Sequence, residues 1–252
     1  VDGDGYGDLL VNANDFGGAA NDYPGIAYLI PGPISGEHLL ADVAVATVSN
    51  PDHGRFEHMG QFVAGVGDVN HDGLGDVVVA SLVGSWLFHG PLVGDLTPDD
   101  AAAALPWAAE IRANGFDAQV DVNGDGELDL LLGTGLRADL LLGPFSGAVD
   151  LDAASVLTVV DRRCDPYGDL TRFAGDLDGD GVEDLVMGTA SLAGFCDTAE
   201  GGAAVIVSSD QRGTIDARND AVTATIRSDF NYVAVVGDQN QDGYDDLAFG
   251  GV

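Results

Sequence analysis

The stretch DVNGDGELDLLLG, residues 121–133, joins an acidic turn directly to an apolar run. Within its first nine residues, oxygen-bearing side chains occupy positions one, three and five, Gly126 is sixth and Asp129 is ninth. Carboxylates held this close together repel one another, which opposes closure of the turn. The stretch therefore predicts a turn whose charge has a specific role, followed by a buried strand.

The same pattern occurs five times along the chain. Complete copies begin at residues 68, 121, 176 and 238, and the copy at the start, VDGDGYGDLLV, lacks only its first residue. The Asp at position five recurs after 68, 53, 55 and 62 residues. A fixed pattern at this loose spacing is typical of a repeat architecture. We name the nine-residue segments acidic loops 1 to 5; they occupy residues 1–8 (positions two to nine), 68–76, 121–129, 176–184 and 238–246.

Composition excludes several classes of protein. Hydrophobic residues make up 46% of 252 residues, which is too many for a disordered acidic tail. The net charge of −33 includes 36 Asp but only 6 Glu, and all nine basic residues are Arg. This excess of negative charge disfavours a nucleic-acid partner. No apolar run approaches the roughly 18 residues of a membrane helix, so we expect no membrane insertion.

Short apolar segments surround every acidic loop and predict an all-β fold. One segment precedes each complete loop and one follows each loop, and runs of this kind fit strands buried on both faces. A third and a more polar fourth strand follow in most copies, and four strands per repeat describe a β-propeller blade. The predicted third strands are 25–33, 84–91, 137–144 and 201–209, and the predicted fourth strands are 43–49, 109–113, 155–160 and 222–228.

We therefore predict one β-propeller domain spanning 1–252, in which about four antiparallel blades are visible. The predicted repeats are approximately 1–55, 56–113, 114–163, 164–228 and 229–252. Residues 97–110 are the exception, since they begin like a capped helix that Pro106 limits. The chain begins inside one copy of the pattern and ends just after another, and we interpret it as part of a larger ring.

The acidic loops have the donors of a metal site. Side chains at positions one, three, five and nine offer oxygen, Gly at position six permits the corner with positive φ, and the variable position seven needs only its backbone carbonyl. The predicted ligands are Asp2, Asp4, Tyr6 and Asp8 in loop 1; Asp68, Asn70, Asp72, Leu74 and Asp76 in loop 2; Asp121, Asn123, Asp125, Glu127 and Asp129 in loop 3; Asp176, Asp178, Asp180, Val182 and Asp184 in loop 4; and Asp238, Asn240, Asp242, Tyr244 and Asp246 in loop 5.

An all-oxygen donor set predicts Ca²⁺ at up to five sites, the first incomplete. The helix–loop–helix calcium site is excluded because it needs Glu at position twelve, where this chain has only strand residues such as Leu132 and Met187. The alternative is a turn rich in Asp, Asn and Gly that binds no ion. Five copies of the same pattern disfavour this alternative. The ligand side chains carry a charge of −16, and five Ca²⁺ ions would change the net charge from −33 to −23.

With these residues in view, the chain resembles the FG-GAP repeats of the integrin alpha-subunit N-terminal propeller and of many bacterial surface proteins. The resemblance covers nearly the whole chain, and the calcium loop is its most specific part. The dipeptides that name the family are degenerate here, as in MGQF (59–62) and GTG (133–135). The resemblance implies calcium between the first two strands of each four-stranded blade, and it implies a seven-bladed ring of which this chain is a part.

The resulting expectation is a non-enzymatic, calcium-stabilised binding or adhesion module, secreted or at the cell surface, with a protein or glycan ligand and further domains in the full-length protein. Two alternatives stay open. The first is a propeller-based enzyme or the non-catalytic propeller of a larger secreted enzyme. The second is a structural spacer or calcium buffer. The five His residues are scattered and no nucleophile pattern stands out. Cys164 and Cys196 flank loop 4. A disulfide between them would suit an extracellular protein, and the alternative is two unpaired thiols in a reduced compartment.

Overall fold

The computed structural model describes residues 1–13, 24–50, 58–105, 116–134, 137–160, 170–188, 203–217, 222–227 and 232–250. Within these ranges the chain is all-β: it contains twenty strands, two one-turn α-helices (Leu40–Val43 and Leu151–Ala154) and one 3-10 turn (Pro98–Asp100). The all-β prediction is thus confirmed. The residues divide into two compact units. The prediction that all repeats belong to one propeller domain stays a prediction.

Unit 1 comprises Val1–Ala109 and Pro144–Leu151 and contains two sheets. Sheet A consists of β1 (Leu9–Ala13), β2 (Ile26–Ile30), β3 (Ala46–Val48) and β7 (Gly94–Leu96), in that order across the sheet. Sheet B consists of β4 (Phe62–Gly67), β5 (Asp76–Ala80), β6 (Ser85–Phe88), β8 (Ala103–Leu105) and β12 (Gly147–Ala148), again in that spatial order.

Unit 2 comprises Glu110–Gly143 and Asp152–Val252 and contains three sheets. Sheet C consists of β9 (Phe116–Val120), β10 (Asp129–Thr134), β11 (Arg137–Leu141), β13 (Ser155–Val160) and β17 (Gly213–Asp216). Sheet D consists of β14 (Leu170–Gly175), β15 (Asp184–Gly188), β16 (Ala203–Ser208) and β18 (Ala224–Arg227). Sheet E is the hairpin of β19 (Tyr232–Gly237) and β20 (Asp246–Gly250).

Within each unit, apolar faces of different sheets pack together. In unit 1, Leu29 of sheet A and Val79 of sheet B belong to one buried cluster. In unit 2, Leu185 of sheet D packs with residues of sheet C, whereas the next residue, Val186, belongs to a cluster that includes Val233 of sheet E. Successive residues of β15 thus face different neighbours, which is why the strand after an acidic loop is apolar at consecutive positions.

Sheets A, B and C differ from the predicted four-stranded antiparallel pattern by an added parallel strand at one edge. Strand β7 pairs with β3, β12 pairs with β8, and β17 pairs with β13, in each case in parallel. The added strands are only two to four residues long and largely exposed. They therefore lack the apolar pattern from which strands are predicted.

In the segment predicted to begin like a helix, the described residues 97–105 form a 3-10 turn and then a strand. The Asp100 carboxylate accepts hydrogen bonds from the N–H and Oγ1 of Thr97, both at 2.9 Å. Strand β8 follows at Ala103–Leu105 and pairs with β6, where Ala103 and Leu105 are buried. Burial in the sheet thus outweighs the helical propensity of the Ala run. The fourth strand predicted at 109–113 lies outside the described residues.

None of the helices in the described part of the chain is both long and apolar enough to span a membrane.

Candidate metal centre

Each complete acidic loop curls around the carboxylate at position one. In loops 2 to 5 this carboxylate accepts hydrogen bonds from the backbone N–H groups at positions five and six. In loop 3, Gly126 N lies 2.8 Å from Asp121 Oδ2, and this hydrogen bond is the main reason why the pKa of Asp121 is below its usual value. The backbone of loop 3 thus favours the ionised form of Asp121.

Positions three and five extend the curl in all five loops. Oδ1 at position three accepts from the N–H at position five, and Oδ1 at position five accepts from the N–H at position seven. The Gly at position six has positive φ in every loop, which confirms the predicted corner. Position four also has positive φ, even where it is His71 or Gln241. The sequence pattern alone does not predict this second corner, because position four has no constant residue type.

Position nine joins the loop to the end of the third strand. Asp76 is 1% exposed; its Oδ2 accepts from Val69 N at 2.8 Å and its Oδ1 accepts from Gly90 N at 2.9 Å. Asp129 does the same with Val122 N and Gly143 N. In these loops the Gly belongs to the Gly-Pro pair that ends the third strand. This N–H donor was not predicted from the sequence, because the Gly lies fourteen residues after the Asp that accepts from it.

Loop 4 lacks this second donor. Asp184 is 1% exposed and its Oδ2 accepts from Leu177 N at 3.0 Å, but its Oδ1 has no hydrogen-bond partner. Its third strand continues into Ser208 and Ser209 instead of Gly-Pro. Burial raises the pKa of Asp184 to about 6, and the nearby carboxylates of Asp178, Asp180 and Asp176 add to the shift. A buried oxygen without a donor is costly, so a cation is the natural partner.

Loop 4 is also the place where the structure gathers acidic side chains most closely among the described residues. Asp176, Asp178 and Asp184 each offer a ligand atom, and these atoms lie within 4.8 Å of one another. Oxygen ligands of Ca²⁺ lie about 2.3–2.6 Å from the ion, so two ligands of one ion can be at most roughly 5 Å apart. The three carboxylates therefore fit one divalent ion with an all-oxygen shell.

Compared with loop 4, each of the other predicted ligand sets has fewer carboxylates at positions one, three and nine or has a less buried residue at position nine. In loops 2 and 3 the position-three Asn donates its amide to Asp72 or Asp125 at 2.9 Å, while its oxygen accepts from backbone. In loop 5 the ninth residue, Asp246, is only half-buried. Loop 1 has carboxylates at Asp2, Asp4 and Asp8, but position one is missing from the sequence.

Loops 1 and 2 in unit 1 contact each other, and so do loops 4 and 5 in unit 2. In unit 1, a Cβ on Gly3 of loop 1 would lie 2.7 Å from Leu74 Cδ2 of loop 2. In unit 2, a Cβ on Gly179 of loop 4 would collide with Tyr244 Cε1 of loop 5. The side chain at position seven thus packs on position four of the neighbouring loop, a role that sequence analysis did not assign to it.

Loops 4 and 5 are also joined by hydrogen bonds. Asp245, at position eight of loop 5, donates its N–H to Asp176 O at 3.1 Å and accepts from Asp176 N at 3.3 Å. Asp176 is the first predicted ligand of loop 4. A change in the conformation of loop 5 can therefore shift Asp176 through these hydrogen bonds.

The predicted disulfide between Cys164 and Cys196 concerns residues outside the described ranges. No protein-family model matches the chain, and no curated protein is similar to it. The resemblance to FG-GAP repeats therefore depends on the residues of the acidic loops and their setting.

Proposed function

We propose that this chain is a calcium-binding β-propeller segment in which Ca²⁺ ions stabilise the connections between the first and second strands of successive sheets. The observation that carries the proposal is loop 4, where three carboxylates converge and the buried Asp184 Oδ1 lacks a donor. When bound, Ca²⁺ would supply the positive charge that lets these oxygens approach one another. The predicted residues of the other four loops would hold further ions.

The arrangement of strands supports the propeller part of the proposal. Acidic loops 2 to 5 each join the first and second strands of their sheet, and loop 1 precedes β1, the first strand of sheet A. Apolar faces of different sheets pack together within each unit. A propeller blade needs such a sheet with apolar residues on both faces, because each blade lies between two others. The seven-bladed ring implied by the FG-GAP resemblance is part of this proposal.

The biological role that fits best is a binding or adhesion module outside the cell, with a protein or glycan ligand. Ca²⁺ sites of extracellular modules bind in the range of about 10⁻⁴–10⁻³ M, which suits loops whose positions three and five are exposed. With five ions bound the chain would still carry a charge of −23, which continues to disfavour nucleic acid. No cluster in the described residues favours catalysis over binding.

Thermal unfolding in the presence and absence of Ca²⁺ tests the proposal. We expect EDTA to lower the Tm and excess CaCl₂ to restore it, with equal MgCl₂ restoring less because Mg²⁺ requires a smaller shell. A single site at a Ca²⁺ concentration one hundred times its Kd contributes about 2.7 kcal/mol to the free energy of unfolding. The same Tm in EDTA and in CaCl₂ would refute calcium stabilisation.

Matched variants locate the effect. The double variant D176N/D178N removes two loop 4 carboxylates, and we expect calorimetric titration to show one bound Ca²⁺ fewer per chain. The control D99N removes the charge of an exposed Asp in the 3-10 turn and should leave the stoichiometry unchanged. Equal stoichiometry in the double variant and the control would show that loop 4 is not a site.

A further inference from the structure

Position eight of loop 5 supplies a carboxylate that binds the backbone of loop 4 at the first residue of its predicted ligand set. Asp245 Oδ2 accepts a hydrogen bond from Asp176 N at 3.3 Å, and Asp245 N donates to Asp176 O at 3.1 Å. The carboxylate also lies against the preceding residue, because a Cβ on Gly175 would collide with Asp245 Oδ2. The N–H and the carbonyl of Asp176 are thus both bound to one residue of the neighbouring loop.

The side chain of Asp176 is oriented by its own loop. Its Oδ1 accepts from Gly179 N at 2.6 Å, and its Oδ2 accepts from Gly181 N at 2.9 Å. These bonds orient the carboxylate relative to loop 4, and the bonds to Asp245 fix the backbone from which the carboxylate projects. The position of this predicted ligand therefore depends on loop 5 as well as on loop 4.

A carboxylate at position eight is not a constant feature of the acidic loops. The residue at this position is Gly7, Gly75, Leu128, Glu183 and Asp245 in loops 1 to 5. In unit 1, position eight of loop 2 also lies beside the start of loop 1, since a Cβ on Gly75 would be 3.7 Å from Val1 N. The two pairs of loops share this arrangement, but in the pair of loops 4 and 5 the residue has a side chain that can accept a hydrogen bond.

We propose that Asp245 is a positioning residue of the loop 4 calcium site, so that Ca²⁺ binding at loop 4 and the contact between loops 4 and 5 stabilise each other. This inference rests on the proposed function, and it makes the affinity of one calcium site depend on the neighbouring loop. Removing a group that orients a metal ligand typically lowers metal affinity about 10–100-fold. Coupling of this kind is reciprocal, because each of two linked equilibria changes the other by the same factor.

The affinity of loop 4 can be measured at one of its own amides. CaCl₂ is titrated into the ¹⁵N-labelled full chain, and the Kd is taken from the chemical shift of the Gly181 amide, which donates to Asp176. We expect D245A to raise this Kd about tenfold. D245N should raise it less than about threefold, because the Asn side chain keeps an oxygen that accepts from Asp176 N. The control D210A removes an exposed Asp from unit 2 and should leave the Kd unchanged.

The reverse direction of the coupling is measured by the exchange of the Asp245 amide with solvent. This N–H donates to Asp176 O, so CaCl₂ should slow its exchange in the native chain. The slowing should be smaller in D176N/D178N, which retains every predicted ligand of loop 5. The amide of Gln239 is an internal control, because it donates to Asp246 within loop 5 and its response to saturating CaCl₂ should be the same in both chains.

Failure of this inference is distinguishable from failure of the proposed function. If the Gly181 amide of the native chain did not respond to CaCl₂, the calcium site of loop 4 and the positioning role of Asp245 would both be overturned. If it responded and D245A had the native Kd, the positioning role alone would be overturned. Equal losses of affinity in D245A and D245N, or an equal response of the Asp245 amide in the native chain and D176N/D178N, would also overturn the positioning role.

Discussion

At the residue scale, the ninth position of each acidic loop combines two roles. Its carboxylate is a predicted metal ligand, and it also clamps the loop backbone to the end of the third strand through N–H donors such as Val122 and Gly143. A carboxylate oxygen can accept more than one hydrogen bond or ligand, so the two roles are compatible. The sequence pattern could predict an Asp at this position but not its contact with a Gly fourteen residues away.

Another buried carboxylate, Asp139, lies in β11, outside the acidic loops. It is 0% exposed; Thr158 Oγ1 donates to its Oδ1 at 2.6 Å, and Arg137 Nε lies 2.7 Å from its Oδ2. Burial raises the pKa of Asp139 despite these partners. Its pH dependence can therefore be separated from that of metal binding.

Replacing Asp139 by Asn should remove part of the pH dependence of stability. The pKa of Asp139 is higher in the folded state than the roughly 3.9 of an unfolded Asp, so the folded state binds the proton more tightly. The resulting stabilisation is complete below about pH 3.9 and is lost as pH rises through the folded pKa. Urea unfolding from pH 4 to pH 7 should show the stability of D139N, relative to the native chain, improving as pH rises.

The control for this measurement is D152N. Asp152 is an exposed partner of the same Arg137, at 2.7 Å from Nη2, so its removal leaves the buried titrating group in place. D152N should follow the native pH profile. If the free energies of unfolding of D139N and the native chain differed by the same amount at every pH from 4 to 7, the raised pKa of Asp139 would be contradicted.

At the scale of the elements, sequence predicted the strands that carry apolar side chains. The runs VVV at 77–79 and LLL at 130–132 are buried at every residue, as expected for strands covered on both faces. The added strands were not predictable, because Gly94–Leu96 and Gly147–Ala148 have no apolar pattern and form through pairing with a distant segment. The five-fold repetition of the acidic loop predicted the candidate metal centre, whereas the missing donor at Asp184 emerged only from the fold.

The Gly that begins an added strand should be required for its backbone conformation. Gly213 has φ of +82°, and a Cβ there would meet nothing within 4 Å, so G213A tests conformation without a steric clash. We expect destabilisation of about 1–2 kcal/mol by urea unfolding. In the control G65A, the Gly lies in β4 without positive φ and also has open space around it.

The two substitutions add the same methyl group, but they do so at positions that differ in backbone conformation. G65A should therefore change the free energy of unfolding by less than about 0.5 kcal/mol, which is usual for an exposed substitution. If G213A were as stable as G65A, the added strand β17 would not constrain its first residue.

At the scale of the whole molecule, negative charge dominates. The net charge is −33, and nearly half of it corresponds to the −16 of the predicted ligand side chains. Without divalent ions these charges destabilise the folded chain through repulsion. Bound Ca²⁺ would remove most of the repulsion within the loops.

Monovalent salt should therefore stabilise the calcium-free chain more than the calcium-bound chain. Raising NaCl from 0.01 M to 0.1 M shortens the Debye length from about 30 Å to about 10 Å, which screens repulsion between neighbouring loops. We expect a clear rise in Tm over this range in EDTA and a smaller rise in CaCl₂. Because the same salt step is applied in both buffers, any general salt effect cancels in the difference. An equal rise in both buffers would mean that the loop carboxylates repel one another no less when Ca²⁺ is present, so that the ions do not neutralise them.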